Sequence, residues 1–237
     1  MDYLSSYLRV TIFKMDDNNL ERGVKLELLS TIERVTRKIA PGRTPSFTEA
    51  HVVKALEIIS EKEAVGRITL SKKLALGEGV TRTLVRHLKN EGVIEVSKYG
   101  IALSEYGKKL FSNLRSKMSE GIEVPNSPLT VGPFNIAVLV RNAAHQVRRG
   151  VEQRDTAIKA GALGATTLIF SHSKLTMPSS EEDVFKGISS IHNMLVSKLN
   201  PKENDVIIVG SGENKTRAEV GAKMAALELL KSESENK

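Results

Sequence analysis

The chain has 237 residues, 40% of them apolar, with no Cys, no Trp and a formal charge of +7. This is long enough for two small domains with a core. It excludes disulfides and thiolate metal sites, fits a reducing cytoplasm, and points to a polyanionic partner. No apolar run approaches the roughly 20 residues of a membrane-spanning helix, and the N-terminus lacks a charged region followed by a long apolar core, so neither a membrane nor a signal peptide is expected.

Residues 1–19 show no clear period and read as a flexible start. The stretch "LERGVKLELLSTIERVTRKIAPG" then sets Val24, Leu28, Ile32, Val35 and Ile39 at helical spacing and stops at Pro41 and Gly42. Such a helix either caps the core that follows or pairs with its own copy in a dimer. Residues 1–42 carry 7 basic and 6 acidic side chains, residues 43–118 carry 14 and 8, and residues 119–237 carry 14 and 14. Nearly all the excess charge therefore sits in 43–118, where phosphate neutralisation would give affinity for nucleic acid. Aromatics at 4% argue against a stacking platform for single strands.

In that segment "SFTEAHVVKALEIISEK" predicts a helix capped by Ser46 or Thr48, with Val52, Val53, Leu56 and Ile59 inward. "GRITL" reads as a short extended piece, and Ser71 as the cap of a helix "SKKLAL" that packs through Leu74 and Leu76. Gly77 and Gly79 bracket the turn into "VTRTLVRHLKNEG". Here Val80, Leu84 and Leu88 form the buried stripe, while Arg82, Arg86 and Lys89 share the opposite face at i, i+4, i+7. Gly92 ends that helix. "VIEVSKYGIALSEYGKKLF" alternates like a hairpin turning near Lys98, Tyr99 and Gly100, then enters another helix.

This order of elements resembles a winged helix-turn-helix domain, in which the third helix enters the major groove of double-stranded DNA and the hairpin wing lies along the backbone. The resemblance implies that Arg82, Arg86 and Lys89 form the recognition face, with Thr81, Thr83, His87 and Asn90 within reach of bases or phosphates. Ser71, Lys72, Lys73, Lys98 and Tyr99 would then flank the backbone.

Residues 119–133, "SEGIEVPNSPLTVGP", hold three prolines and two glycines and read as a linker. In residues 134–237 strands are expected at "FNIAVLV", "ATTLIF", "KLTMP" and "NDVIIVG". Helices are expected at "RRGVEQRDTAIKAGA", at "EEDVFKGISSIHNMLVSKL" and from Thr216 to Leu230, with a disordered "KSESENK" tail. The order βαββαβ is that of a ferredoxin-like, split βαβ sheet with helices on one face, so the fold class is α+β; a small doubly wound domain is the competing architecture.

Two places in this half are candidates for a small anionic effector. Gly210, Ser211 and Gly212 stand between a strand and a helix start, with Lys215 nearby. Arg141, Asn142 and Arg154 belong to a second cation-rich stretch. The five histidines, His51, His87, His145, His172 and His192, have no metal-ligand spacing, and no cofactor or catalytic motif is evident.

Taken together, "APGRTPSFTEAHVVKAL", "GVEQRDTAIKAGALGATTLIF" and "DVIIVGSG" resemble a group of archaeal proteins that join a winged helix to an uncharacterised C-terminal domain. That resemblance implies a cytoplasmic transcriptional regulator, with 1–42 as an extension, 43–118 binding DNA, and 134–237 sensing an effector or dimerising. A homodimer is expected, because one short helix reads few bases. Two alternatives stay open: an enzyme acting on a nucleotide or phosphorylated substrate, with a layout like that of some archaeal riboflavin kinases, and a non-specific architectural DNA binder.

Overall fold

The computed structural model describes residues 17–37, 45–178, 180 and 184–235. Most of the expected flexible start, together with Ile39, Pro41 and Gly42, lies outside these residues. Helix α1 (Asp17–Thr36) turns Leu28, Ile32 and Val35 into the core of its own chain. The stripe that offered a dimer seam is thus used internally, and α1 caps the domain that follows. Thr31 and Tyr106 share a hydrogen bond of 2.9 Å across that contact.

Helix α2 (Glu49–Ser60) starts at Thr48, whose backbone N–H donates to His51 Nδ1 at 3.1 Å in a capping box. It is the central post of the first half, with Val52, Val53, Leu56 and Ile59 fully buried. Helix α3 (Arg67–Leu74) begins one residue after Gly66, so "GRITL" is helical from its second residue. The extended piece is confined to Val65, which bridges to Ile101. Ser71 sits inside the helix rather than at its start and donates to the Leu76 carbonyl at 2.6 Å, closing a turn in which Ala75 is left-handed at φ 53°. Helix α4 (Glu78–Asn90) follows, then strands β1 (Ile94–Ser97) and β2 (Gly100–Leu103), joined through Lys98 and Tyr99. Helix α5 (Glu105–Lys117) is capped by Ser104, whose Oγ accepts from Gly107 N at 2.9 Å.

The second half is a five-stranded sheet. Its strands are β3 (Ile122–Glu123), β4 (Phe134–Val140), β5 (Gly164–Ser171), β6 (Lys174–Thr176) and β7 (Val206–Gly212), in the order β3-β4-β7-β5-β6. Every neighbouring pair is antiparallel. The sheet therefore differs from both expected architectures: a split βαβ unit and a doubly wound domain each need parallel neighbours. Here the last strand inserts between the first and second long strands.

The helices also lie on both faces. Helices α6 (Val151–Lys159) and α8 (Lys215–Glu235) cover the face of Val138, Val206 and Ile208, whereas α7 (Ser189–Leu199) covers Ala137, Leu139, Ile207 and Val209. The reason is in the strands. "IAVLV" and "VIIV" are apolar at odd and even positions alike, so one covered face would leave the other bare. Helix α7 begins only at Ser189, later than its sequence suggested, and α8 continues to Glu235 through most of the supposed tail.

Residues 119–133 are part of this sheet, not a spacer. Ser119 N donates to Leu139 O at 2.9 Å, β3 pairs with β4, and Val124 and Leu129 are buried. One apolar cluster runs from α1 and α2 through α8 onto the sheet. Across the same boundary Lys231 pairs with Glu49 at 2.7 Å, Lys54 with Glu219, and Lys223, 0% exposed, with Glu57; within α8, Lys223 also pairs with Glu219 one turn away.

Candidate nucleic-acid interface

Helix α4 owes its placement to Leu84 and Leu88, which are fully buried, and to Gly77, which caps it in an extended conformation. At about 100° per residue, the positions 82, 86 and 89 fall within an arc of roughly 60°, nearly opposite those two leucines. Arg82, Arg86 and Lys89 are exposed accordingly, as is Asn90. None of the three cations has a carboxylate partner among the described residues; Glu91, the nearest acid in sequence, is held by Arg34 at 2.8 Å. The face is therefore an unneutralised row of donors on a rigid element.

Three of the polar residues expected beside this row are turned inward. Thr81 is 0% exposed and donates to Gly77 O at 3.1 Å, which tightens the first turn. His87 is 3% exposed; its Nδ1 lies 2.7 Å from the Val35 carbonyl of α1, and its ring meets Phe47 edge-on at 5.8 Å. A carbonyl accepts, so Nδ1 carries the proton and the ring pins α4 to α1. Ser71 is likewise buried, inside α3, where its hydroxyl holds the turn that leads into α4. These three residues hold the helix in place and are not positioned for direct contact with a ligand on the outer face. Thr83 is half-buried, with its hydroxyl donating to Gly79 O at 3.2 Å.

Around the row, Lys72 is exposed and without a carboxylate partner among the described residues, while Lys73 reaches Glu61 at 2.6 Å in an exposed pair. The wing tip presents Tyr99, 77% exposed, with the Lys98 ammonium 5.0 Å from its ring centroid. Arg67, exposed at the first position of α3, is a further cation that the sequence reading passed over. The signal was Gly66 preceding it, which serves as the cap of α3.

The residues expected to gather an anion in the second half are not brought together. Gly210 and Gly212 lie within β7, and their missing side chains make room for α8: a Cβ at Gly210 would stand 2.5 Å from Ala218 O and 2.7 Å from Ala222 N. Ser211 donates to Asn135 Oδ1 at 2.6 Å. Arg141 is at the other end of the sheet, since Val140 pairs with Val206 and Phe134 with Gly212. There it reaches Asp205 at 2.6 Å, and Asn142 donates its N–H to the same carboxylate at 2.8 Å. Arg154 pairs with Asp155 at 3.0 Å, and Lys215 with Glu123 at 2.6 Å. Each cation of that proposed set is already matched by a carboxylate.

Among the described residues no group of acidic, His or Cys side chains is arranged to hold a metal, and no helix is long and apolar enough to cross a membrane. Residues 52–118 match the family described as the CggR N-terminal DNA binding domain. Residues 131–229 match a domain of unknown function, DUF4443. No curated protein matches the chain. Among solved structures, the hypothetical protein PH0730 from Pyrococcus horikoshii OT3 is similar, with 28% identity and a TM-score of 0.65 over 79% of this chain and 95% of that one. The chain thus has the layout of a DNA-binding-domain-like first half joined to a sheet domain.

Proposed function

We infer that this chain is a DNA-binding transcriptional regulator of the winged-helix type, in which α4 enters the major groove. The observation that carries the reading is the unpartnered Arg82, Arg86, Lys89 face of α4, within the stretch that matches the CggR N-terminal DNA binding domain. In this role Arg82 and Arg86 contact base edges, while Lys72, Lys89 and Lys98 neutralise phosphates. Tyr99 and Lys98 carry the wing toward the backbone. The test is selection of bound duplexes from a random pool, followed by gel-shift titration of the winning site. Failure to enrich any sequence would leave non-specific binding in its place.

The second half supplies the pairing of half-sites that one short helix needs. With Leu28, Ile32 and Val35 of α1 turned into the chain's own core, the sheet domain is the homodimer surface of this reading, supported by the exposed large apolar side chains Val131, Phe134 and Leu163. Val131 and Leu163 crowd the same corner: a Cβ at Gly164 would touch Val131 and one at Gly132 would touch Leu163. Light scattering that returned a single 26.0 kDa species with and without DNA would remove the dimer.

A further inference from the structure

Where the two halves meet, the surface folds inward into a cleft of about 480 Å³. Cavities of roughly 300–1,000 Å³ are the usual size of small-molecule sites. Its walls come from both halves: Ser46 and His51 from the first, Leu76 from the turn between α3 and α4, and Asn214, Thr216 and Arg217 from the start of α8. No lining residue is acidic.

Arg217 is the cation of this cleft. Its backbone N–H is taken by Asn214 Oδ1 at 2.9 Å, but its guanidinium has no carboxylate partner among the described residues. It lies over Gly161, whose φ of +92° requires glycine and where any Cβ would overlap the guanidinium. The backbone thus leaves a seat for this one arginine, in a half whose other candidate cations are paired.

His51 is the second donor. Its Nδ1 accepts the Thr48 N–H, so the neutral ring carries its proton on Nε2. Burial holds its pKa below the ordinary histidine value, and the charges of Lys54, Arg217 and Lys223 push the same way. The ring is therefore a neutral N–H donor in a positive field. An acid-free cavity that offers a guanidinium, an imidazole N–H and hydroxyls is complementary to an oxyanion.

We propose that this cleft binds a small molecule bearing an oxyanion, and that its occupancy sets the DNA affinity of α4. The route is short. Leu76 lines the cleft and directly precedes Gly77, the cap of α4, while Arg217 belongs to α8 of the other half. A ligand that touches both favours one arrangement of the halves, and only such a preference shifts a regulator. The second part of the proposal rests on the DNA-binding reading; the first does not.

The test uses the full chain, isotopically labelled and free of DNA, titrated with inorganic phosphate against sodium chloride at matched ionic strength. Saturable shifts of the His51 ring nitrogens and of the Thr216 and Arg217 amides are expected. R217Q should weaken that response at least tenfold, whereas R154Q, which removes an exposed arginine elsewhere, should leave it unchanged. Shifts that follow ionic strength alone, or an R217Q chain that titrates like the wild type, would overturn the site. Fluorescence anisotropy on a selected duplex then reads the coupling: phosphate should change the dissociation constant threefold or more in the wild type and not in R217Q. An equal affinity with and without phosphate overturns the regulatory half alone. The R82A/R86A chain separates the two readings, since it should lose DNA and keep the phosphate shifts; loss of those shifts would place the anion on α4 instead.

Discussion

Residues 43–118 and residues 119–237 carry the same number of basic side chains, 14 each, yet the cations that the sequence singles out in the two stretches are used in opposite ways. On α4 and the end of α3, Arg82, Arg86, Lys89 and Lys72 project without a carboxylate partner among the described residues. In the sheet domain Arg141, Arg154, Lys215, Lys223 and Lys231 each face a carboxylate, two of them, for Lys223 and Lys231, in the other half of the chain. Cation density along the sequence therefore does not mark a site; the absence of a partner in space does. By that measure Arg217 belongs with α4 rather than with its neighbours.

The strongest way to break this comparison is at Lys223, the most deeply buried of the paired cations. Replacing it with Met strands Glu57 in the interface, and removal of one partner of a buried pair typically costs about 3–5 kcal/mol. Urea titration should show a large drop in the midpoint of K223M. An unchanged midpoint would mean that the pairs of the second half are decorative.

The mirror experiment is on α4. R82A and R86A should each weaken binding to the selected duplex by about 1–3 kcal/mol and relax sequence preference, while leaving the melting temperature within a degree or two. A loss of stability instead of affinity would place these arginines with the structural cations.

Lys54 sharpens the boundary between the classes. It pairs with Glu219, yet burial, and the charge of Lys223 beside it, depress its pKa to about 8. The folded chain holds this proton less tightly than the unfolded chain does. The resulting stability deficit is complete below about pH 8 and is relieved as the pH climbs toward the ordinary lysine value of 10.5. Relative to K54M, the wild type should therefore gain on the order of 1 kcal/mol between pH 8 and pH 10, a figure reduced for the side chain's partial exposure. A difference that stays flat across that range would show that Lys54 titrates normally.

Smaller effects follow for the flanking groups. Lys72→Ala and Lys98→Ala should each lower the slope of log affinity against log salt by about 1 without changing the preferred sequence. At the small end, Arg154→Ala breaks an exposed pair and should move stability by less than about 0.5 kcal/mol and DNA affinity not at all. A clear loss of DNA affinity in that variant would return the second half to the list of nucleic-acid surfaces.

Local signals carried much of the first half. The period of Leu28, Ile32 and Val35, the cap at Thr48, the glycine before α4 and the alternation around Lys98 and Tyr99 each act within one turn or one hairpin, so they are visible in a linear string. The start of α3 was missed because Ile68 and Thr69 are β-branched and follow a glycine, a pattern that favours strand until Leu70 and Leu74 are seen to share a buried face. Thr81 and His87 look like contact residues for the same reason. Polar side chains beside a basic row give no hint that α1 packs across them and offers His87 the Val35 carbonyl.

What sequence alone determined is therefore most of the elements, though not β3 or the first turn of α3, together with the basic face of α4 and the concentration of charge in residues 43–118. Tertiary structure alone decided the rest: that β7 inserts between β4 and β5, that residues 119–133 edge the sheet, and that Gly210 and Gly212 admit α8 rather than an anion. It also decided that Arg141 and Arg217 have different fates. The physical reason is range. Periodicity and capping are interactions over three or four residues, whereas strand order and charge pairing join positions such as Lys223 and Glu57, 166 residues apart, which only the folded chain brings together.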